Sequence, residues 1–120
     1  MINRFSKLFL ISTLLAGAPL PLLADTAESE IKYLLGAIAA SGCTFVRNGK
    51  EHSSEDASDH LAMKYRRGRK YASTAELFIE RLATKSSWTG KPYQVICPDQ
   101  QPMKSGDWLT TRLKEYRNNS

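Results

Sequence analysis

The apolar positions that follow the N-terminal segment recur in a pattern that predicts four helices. From about Thr26 to Ser41, apolar residues repeat every three or four positions, as on one face of a helix, and Gly42 suits a left-handed stop. Two more helices follow the capping boxes Ser53–Asp56 and Ser73–Glu76, and a fourth begins at about Gly106. The core residues expected on these helices are Ile31, Leu34, Leu35, Ile38, Ala39, Ala57, Leu61, Tyr65, Ala75, Phe78, Ile79, Leu82, Ala83, Trp108, Leu109, Leu113 and Tyr116.

Shorter segments with alternating apolar positions predict a small antiparallel sheet. Cys43–Arg47 alternates, Asn48-Gly49 accepts the positive φ angles of a two-residue turn, and Lys50–His52 returns, which together indicate a β-hairpin. A further strand is expected over Tyr93–Cys97, and a turn over Asp99–Lys104 should join it to the last helix. The pattern therefore predicts a monomeric α+β domain in which about four helices surround a β-hairpin and one more strand.

The first 24 residues are typical of a cleavable export signal. Arg4 and Lys7 form a basic start, and an uncharged apolar run extends from Leu8 to Ala24. This run contains two prolines and is shorter than the ~20 residues of a spanning helix, so we expect no membrane span after cleavage. Cleavage after Ala24 would leave a single domain over residues 25–120.

Cys43 and Cys97 are the only cysteines, and an exported protein meets an oxidising compartment in which such a pair normally bridges. A bridge between them closes a loop of about 55 residues, worth about 4 kcal/mol on the chain-entropy model. The chain has no Cys-x-x-Cys motif, and two cysteines with two histidines lack the spacing of a zinc site. The sequence predicts one disulfide and no metal or cofactor.

The net charge argues against nucleic acid as a partner. Without Arg4 and Lys7, 15 of the 17 basic residues remain against 12 acidic ones, a charge of only +3. The basic segment Lys64–Lys70 has two interpretations. It can be a solvated helix end that stops at a left-handed Gly68 and is stabilised by the helix dipole, or a surface that binds phosphate, a glycan acid or a lipid headgroup.

Arg47, His60 and Lys64 are polar beyond what folding requires. At 100° per residue, His60 and Lys64 lie at the edge of the apolar face of the second helix, where side chains can line a groove. The alternative for His60 is a packed imidazole that hydrogen-bonds a carbonyl or a carboxylate such as Asp56.

The loop that contains Ser86, Ser87, Trp88 and Lys91 has the composition of a carbohydrate or anion contact. An indole offers a stacking face, and the hydroxyls and ammonium group offer hydrogen-bond donors. The alternative is a serine-capped turn with a packed tryptophan. A hydrolase that uses His60 with Ser86 or Ser87 is a further possibility, although no Gly-x-Ser-x-Gly elbow is present.

Several motifs of the chain resemble the YfeK-like family of small exported bacterial proteins, a domain of unknown function. The resemblance covers nearly all of the chain after residue 24. It is carried by Ser41–Phe45, Arg47–Lys50, His60-Leu61 with Lys64, Thr74–Glu76 with Phe78-Ile79, and Lys85–Tyr93. It implies a bacterial periplasmic location and a fold, but no reaction. An aromatic residue usually stands in that family where this chain has His52.

The sequence therefore favours a periplasmic binding or accessory protein without catalytic activity. The expected partner is an anionic envelope component or another periplasmic protein. The ligand-binding residues expected are Arg47, His60, Lys64, Ser86, Ser87, Trp88 and Lys91.

Overall fold

The computed structural model describes residues 23–119 of the 120-residue chain. Apart from its last two residues, the predicted export signal lies outside the described residues. Within them, no helix is long and apolar enough to cross a membrane. The elements are α1 (Leu23–Ala40), β1 (Thr44–Arg47), β2 (Lys50–His52), α2 (Ser54–Gly68), a 3₁₀ helix (Arg69–Tyr71), α3 (Ala75–Leu82), β3 (Gln94–Ile96), β4 (Met103–Lys104) and α4 (Ser105–Asn118).

The strands form one antiparallel sheet in the order β2-β1-β3-β4. Asn48 and Gly49 have φ angles of 53° and 77°, so the predicted hairpin turn is confirmed. Strand β4 is an addition to the predicted sheet, because the sequence predicts only a turn over the segment 99–104. Two paired residues are too few to produce a detectable alternation of apolar positions. The predicted α+β class is confirmed.

The helix ends show which of the capping residues predicted from the sequence are confirmed. The Ser53 side chain accepts a hydrogen bond from the Asp56 amide at 3.1 Å, as the capping box predicts. The cap of α3 is Thr74 rather than the predicted Ser73, since Thr74 Oγ1 accepts from the Leu77 amide at 3.0 Å. Helix α1 already includes Leu23, the first described residue, whereas the sequence predicts a start at about Thr26.

Gly68 does not adopt the predicted left-handed conformation. Its φ angle is −110°, and the chain continues into the 3₁₀ helix. A Cβ atom at this position would lie 3.2 Å from Leu82 Cδ2. Gly68 therefore permits close packing of α2 against α3, which is a different use of glycine from the one predicted.

The predicted disulfide is present and extends the ladder between β1 and β3. Thr44 pairs with Ile96, and Cys43 is bonded to Cys97 one position further along. The core gathers the buried faces of the helices against the sheet. Tyr116 is only half-buried and stacks on Tyr33 at a ring distance of 4.3 Å. Three other residues expected in the core, Leu35, Ala39 and Ala57, are also half-buried.

Candidate functional site

One concave surface gathers most of the polar residues singled out in the sequence. It is a groove of about 710 Å³, within the range of small-molecule sites, and we call it the basic groove. Six of the seven predicted ligand residues line it, and Lys91 does not. The lining consists of Arg47, Asn48, His60, Met63, Lys64, Arg67, Gly68, Tyr71, Arg81, Leu82, Ser86, Ser87, Trp88 and Tyr93.

A stripe along α2 and the 3₁₀ helix forms one wall of the groove. His60, Met63, Lys64, Arg67 and Tyr71 follow one another at intervals of one, three or four residues, which places their side chains on one helical face. The sequence interpretation missed Tyr71, and it considered Arg67 only as part of the basic segment and not among the expected ligand residues. The same periodicity, counted from His60, would have found both.

The charge of the groove is of one sign. Its lining includes Arg47, Lys64, Arg67 and Arg81 and no aspartate or glutamate. None of these four side chains takes part in an ion pair among the described residues. The half-buried side chain of Arg47 also makes no hydrogen bond to another described residue. The groove is therefore a concentrated positive field without a built-in counter-charge.

Lys64 is held by neutral groups. Its Nζ atom donates to Tyr93 Oη at 3.1 Å and to the Lys85 carbonyl at 3.4 Å. Burial lowers the pKa of Lys64, and the nearby Arg47 guanidinium lowers it further. Burial likewise raises the pKa of the Tyr93 phenol. A cation in this position is incompletely compensated by its dipolar neighbours.

The other cations of the basic segment have different neighbours. Arg69 pairs with Glu28 at 3.3 Å and lies over the Tyr65 ring. Lys70 lies over the ring of Tyr71. The segment is therefore divided: Lys64 and Arg67 line the groove, whereas the rest do not.

His60 lies in the groove without the hydrogen bond expected for a packed histidine. Its Nε2 atom is buried and has no partner, and no hydrogen bond to Asp56 forms among the described residues. Burial, and next the charges of Arg47 and Lys64, lower the pKa of His60 to about 4. The imidazole is therefore neutral at neutral pH and adds no charge to the groove.

Ser86 organises the loop that closes the groove on the opposite side. It is buried, and its Oγ atom accepts from the amides of Trp88 and Thr89 at 3.2 and 3.3 Å and from Asn48 Nδ2 at 3.3 Å. Thr89 Oγ1 donates to Asn48 Oδ1 at 2.6 Å. The predicted serine-capped turn is thus present, and it is tied to the hairpin turn.

The tryptophan of this loop is not packed against the rest of the protein. The alternative interpretation, a serine-capped turn with a packed tryptophan, is therefore right about the turn and wrong about the tryptophan. Trp88 is 96% exposed although it lines the groove. The indole points outward because Ser86 occupies the inward position of the turn.

The described residues contain no serine hydroxyl hydrogen-bonded to His60. They also contain no group of three or more His, Cys, Asp or Glu side chains that could hold a metal ion. The arrangement of the groove provides cations, aromatic faces and hydrogen-bond donors.

Comparison with known proteins gives a family and no activity. The chain is 46% identical to a protein of Salmonella typhimurium, Uncharacterized protein YfeK, over 67 residues, which are 55% of this chain and 56% of that protein. The match thus spans little more than half the length of this relative. No solved structure matches. The family of unknown function DUF5329 matches residues 25–117, nearly the whole described domain. The chain belongs to this family, and the YfeK-like resemblance read from its motifs is confirmed.

Proposed function

We propose that this protein is an exported binding protein whose basic groove takes an anionic component of the bacterial envelope. One observation carries the proposal: four basic side chains and no acidic side chain line the groove, and none has an ion pair among the described residues. Export is supported by the signal-like N-terminus and by the disulfide, which oxidising compartments favour.

The energetic argument starts from Arg47. A half-buried guanidinium has lost part of its hydration, and neighbouring cations raise its electrostatic energy. A bound carboxylate or phosphate would replace the lost hydration with hydrogen bonds and would offset the repulsion from the neighbouring cations. Its oxygens also match the bidentate geometry that a guanidinium prefers. The binding free energy of an anion is therefore more favourable in the groove than at an isolated surface lysine.

Binding is better supported than hydrolysis. A serine nucleophile needs a base within hydrogen-bond reach, whereas Ser86 Oγ accepts from Asn48 and from two loop amides. With a pKa of about 4, His60 would also be a weak base at neutral pH.

The test uses inorganic pyrophosphate as a small anionic probe, titrated calorimetrically at constant ionic strength. Arg47→Gln with Arg67→Gln should weaken binding by about tenfold or more, or about 1.4 kcal/mol. The matched control, Arg66→Gln with Lys70→Gln, removes the same charge from the same region but outside the groove lining. It should change the affinity by less than about twofold.

Two results would refute the proposed function. One is the absence of measurable pyrophosphate binding by the wild-type protein. The other is an equal loss of binding in the two double variants, which would mean that net charge alone attracts the anion.

A further inference from the structure

We propose that the ligand of the basic groove is an acidic saccharide, a sugar that carries a carboxylate or a phosphate group. The inference rests on the proposed function and assigns its substrate class. Its starting point is Trp88, whose indole is almost fully exposed while the backbone beneath it is fixed.

The loop holds Trp88 in place through its backbone rather than through the indole. The Trp88 amide donates to Ser86 Oγ at 3.2 Å, and the Gly90 amide donates to the Ser86 carbonyl at 3.0 Å. Gly90 has a φ of 75°, which favours glycine in this turn. Asn48 joins the loop to the hairpin. The backbone of the loop is thus held in place, so binding has to order only the indole, a large aromatic side chain with two χ angles.

A second aromatic side chain lines the same groove. Tyr71 is 51% exposed, and its ring also contacts the Lys70 ammonium group. The C–H face of a pyranose ring is apolar and flat, so it packs on an indole or a phenol ring, while its hydroxyls need hydrogen-bond partners at the edges. Asn48 and Ser87 lie in the lining and can supply them.

The volume and the charge complete the assignment. A groove of about 710 Å³ is far larger than a single phosphate ion requires. Arg47 and Lys64 supply half-buried cations for an acidic group, whereas Trp88 supplies an exposed aromatic face in the same groove. A ligand that occupies both parts needs an anionic group and an apolar ring face, which an acidic saccharide combines.

The surroundings of Trp88 argue against a membrane or an apolar protein surface as the occupant. Ser87, Thr89, Gly90 and Lys91 are exposed and offer no contiguous apolar area around the indole. The tryptophan also lines a concave surface, whereas an interfacial anchor would project from a convex one.

The experiment compares five probes by calorimetry: glucuronic acid, glucose 1-phosphate, glucose, inorganic pyrophosphate, and vesicles of phosphatidylglycerol. Wild-type protein should bind the two acidic sugars about tenfold or more tightly than glucose. The stronger of the two identifies the acidic group as carboxylate or phosphate. Trp88→Ala should weaken acidic-sugar binding by about tenfold but change pyrophosphate affinity by less than about twofold.

Trp88→Phe, which retains a ring, should recover most of the lost sugar affinity. The Trp88 side chain makes no core contact, so both variants should keep the wild-type circular dichroism and melting temperature. Trp108 remains in every variant as a buried internal fluorophore, and only the exposed Trp88 emission should respond to the acidic sugars.

The outcomes separate the two proposals. Pyrophosphate binding without acidic-sugar binding would overturn the saccharide assignment and leave the anion groove in place. Sugar binding that survives Trp88→Ala, glucose binding as tight as that of the acidic sugars, or vesicle binding in place of sugar binding would also overturn the saccharide assignment. If no anionic probe binds, both proposals fail.

Discussion

Removal of the disulfide should cost about 4 kcal/mol of stability without abolishing the fold. Cys43 and Cys97 are 54 residues apart, and the chain-entropy model assigns a loop of this length about 4 kcal/mol at 25 °C. The pairing of Thr44 with Ile96 holds the two positions next to each other even without the bridge. Since domains of this size are stable by about 5–15 kcal/mol, the double variant Cys43→Ala with Cys97→Ala should still fold.

The assay begins with the intact mass, before and after reduction, of the protein purified from bacteria that express the full 120-residue sequence. We expect a chain that starts at Asp25 and gains two hydrogens on reduction. Urea unfolding should then show a loss of about 4 kcal/mol, and the melting temperature should fall by about 15–30 °C. Reduced wild-type protein is the control, because it loses the bridge but keeps both side chains. Unchanged melting of the double variant, or a mass that still includes residues 1–24, would refute the reasoning.

Two further predictions concern charged groups. Arg117 donates to both carboxylate oxygens of the buried Glu30, so Arg117→Met should destabilise the protein by about 3 kcal/mol. Glu76, the other partner of Arg117, is exposed, and Glu76→Gln should cost less than about 1 kcal/mol. Equal losses of unfolding free energy in urea would contradict this prediction. The folded pKa of His60, about 4, lies below its unfolded value of 6.5, so the unfolded chain takes up the proton first and stability falls from about pH 6.5 to 4. After allowance for solvent screening, His60→Gln should reduce this pH-dependent loss of unfolding free energy by about 1 kcal/mol. If the unfolding free energies of the wild type and the variant fall in parallel between pH 6.5 and 4, the attribution to His60 is wrong.

The parts of the fold that the sequence predicts are those with a local physical cause. Asn48-Gly49 marks the turn because both residues tolerate positive φ, and Ser53 marks a helix start because its hydroxyl replaces a missing backbone acceptor. The local signal was ambiguous at Ser73 and Thr74, two adjacent hydroxyl residues that can each cap a helix. At Gly68 it was misleading, because the requirement for glycine comes from Leu82 on another helix.

The candidate site is less predictable, since its parts meet only in three dimensions. His60 and Lys64 were found from their polarity at the edge of an apolar helix face, and Arg47 was found from its polarity alone. All three line one groove. Arg81 could not be found in this way, because it lies on α3 and reaches the groove only through the packing of that helix against α2. The exposure of Trp88 was likewise hidden, since composition does not show which loop residue turns inward.

The distribution of carboxylates explains why a modest net charge coexists with a strongly basic groove. Glu28, Glu30, Glu76 and Glu115 all pair with arginines that do not line the groove. Each such pair neutralises charge elsewhere on the domain and leaves the groove cations uncompensated. Like-charge repulsion among the groove cations opposes folding. A single carboxylate placed in the groove would reduce this repulsion and raise the free energy of unfolding. Local conflict of this kind is common at functional sites, and under the proposed function a bound anion would relieve the repulsion between the groove cations.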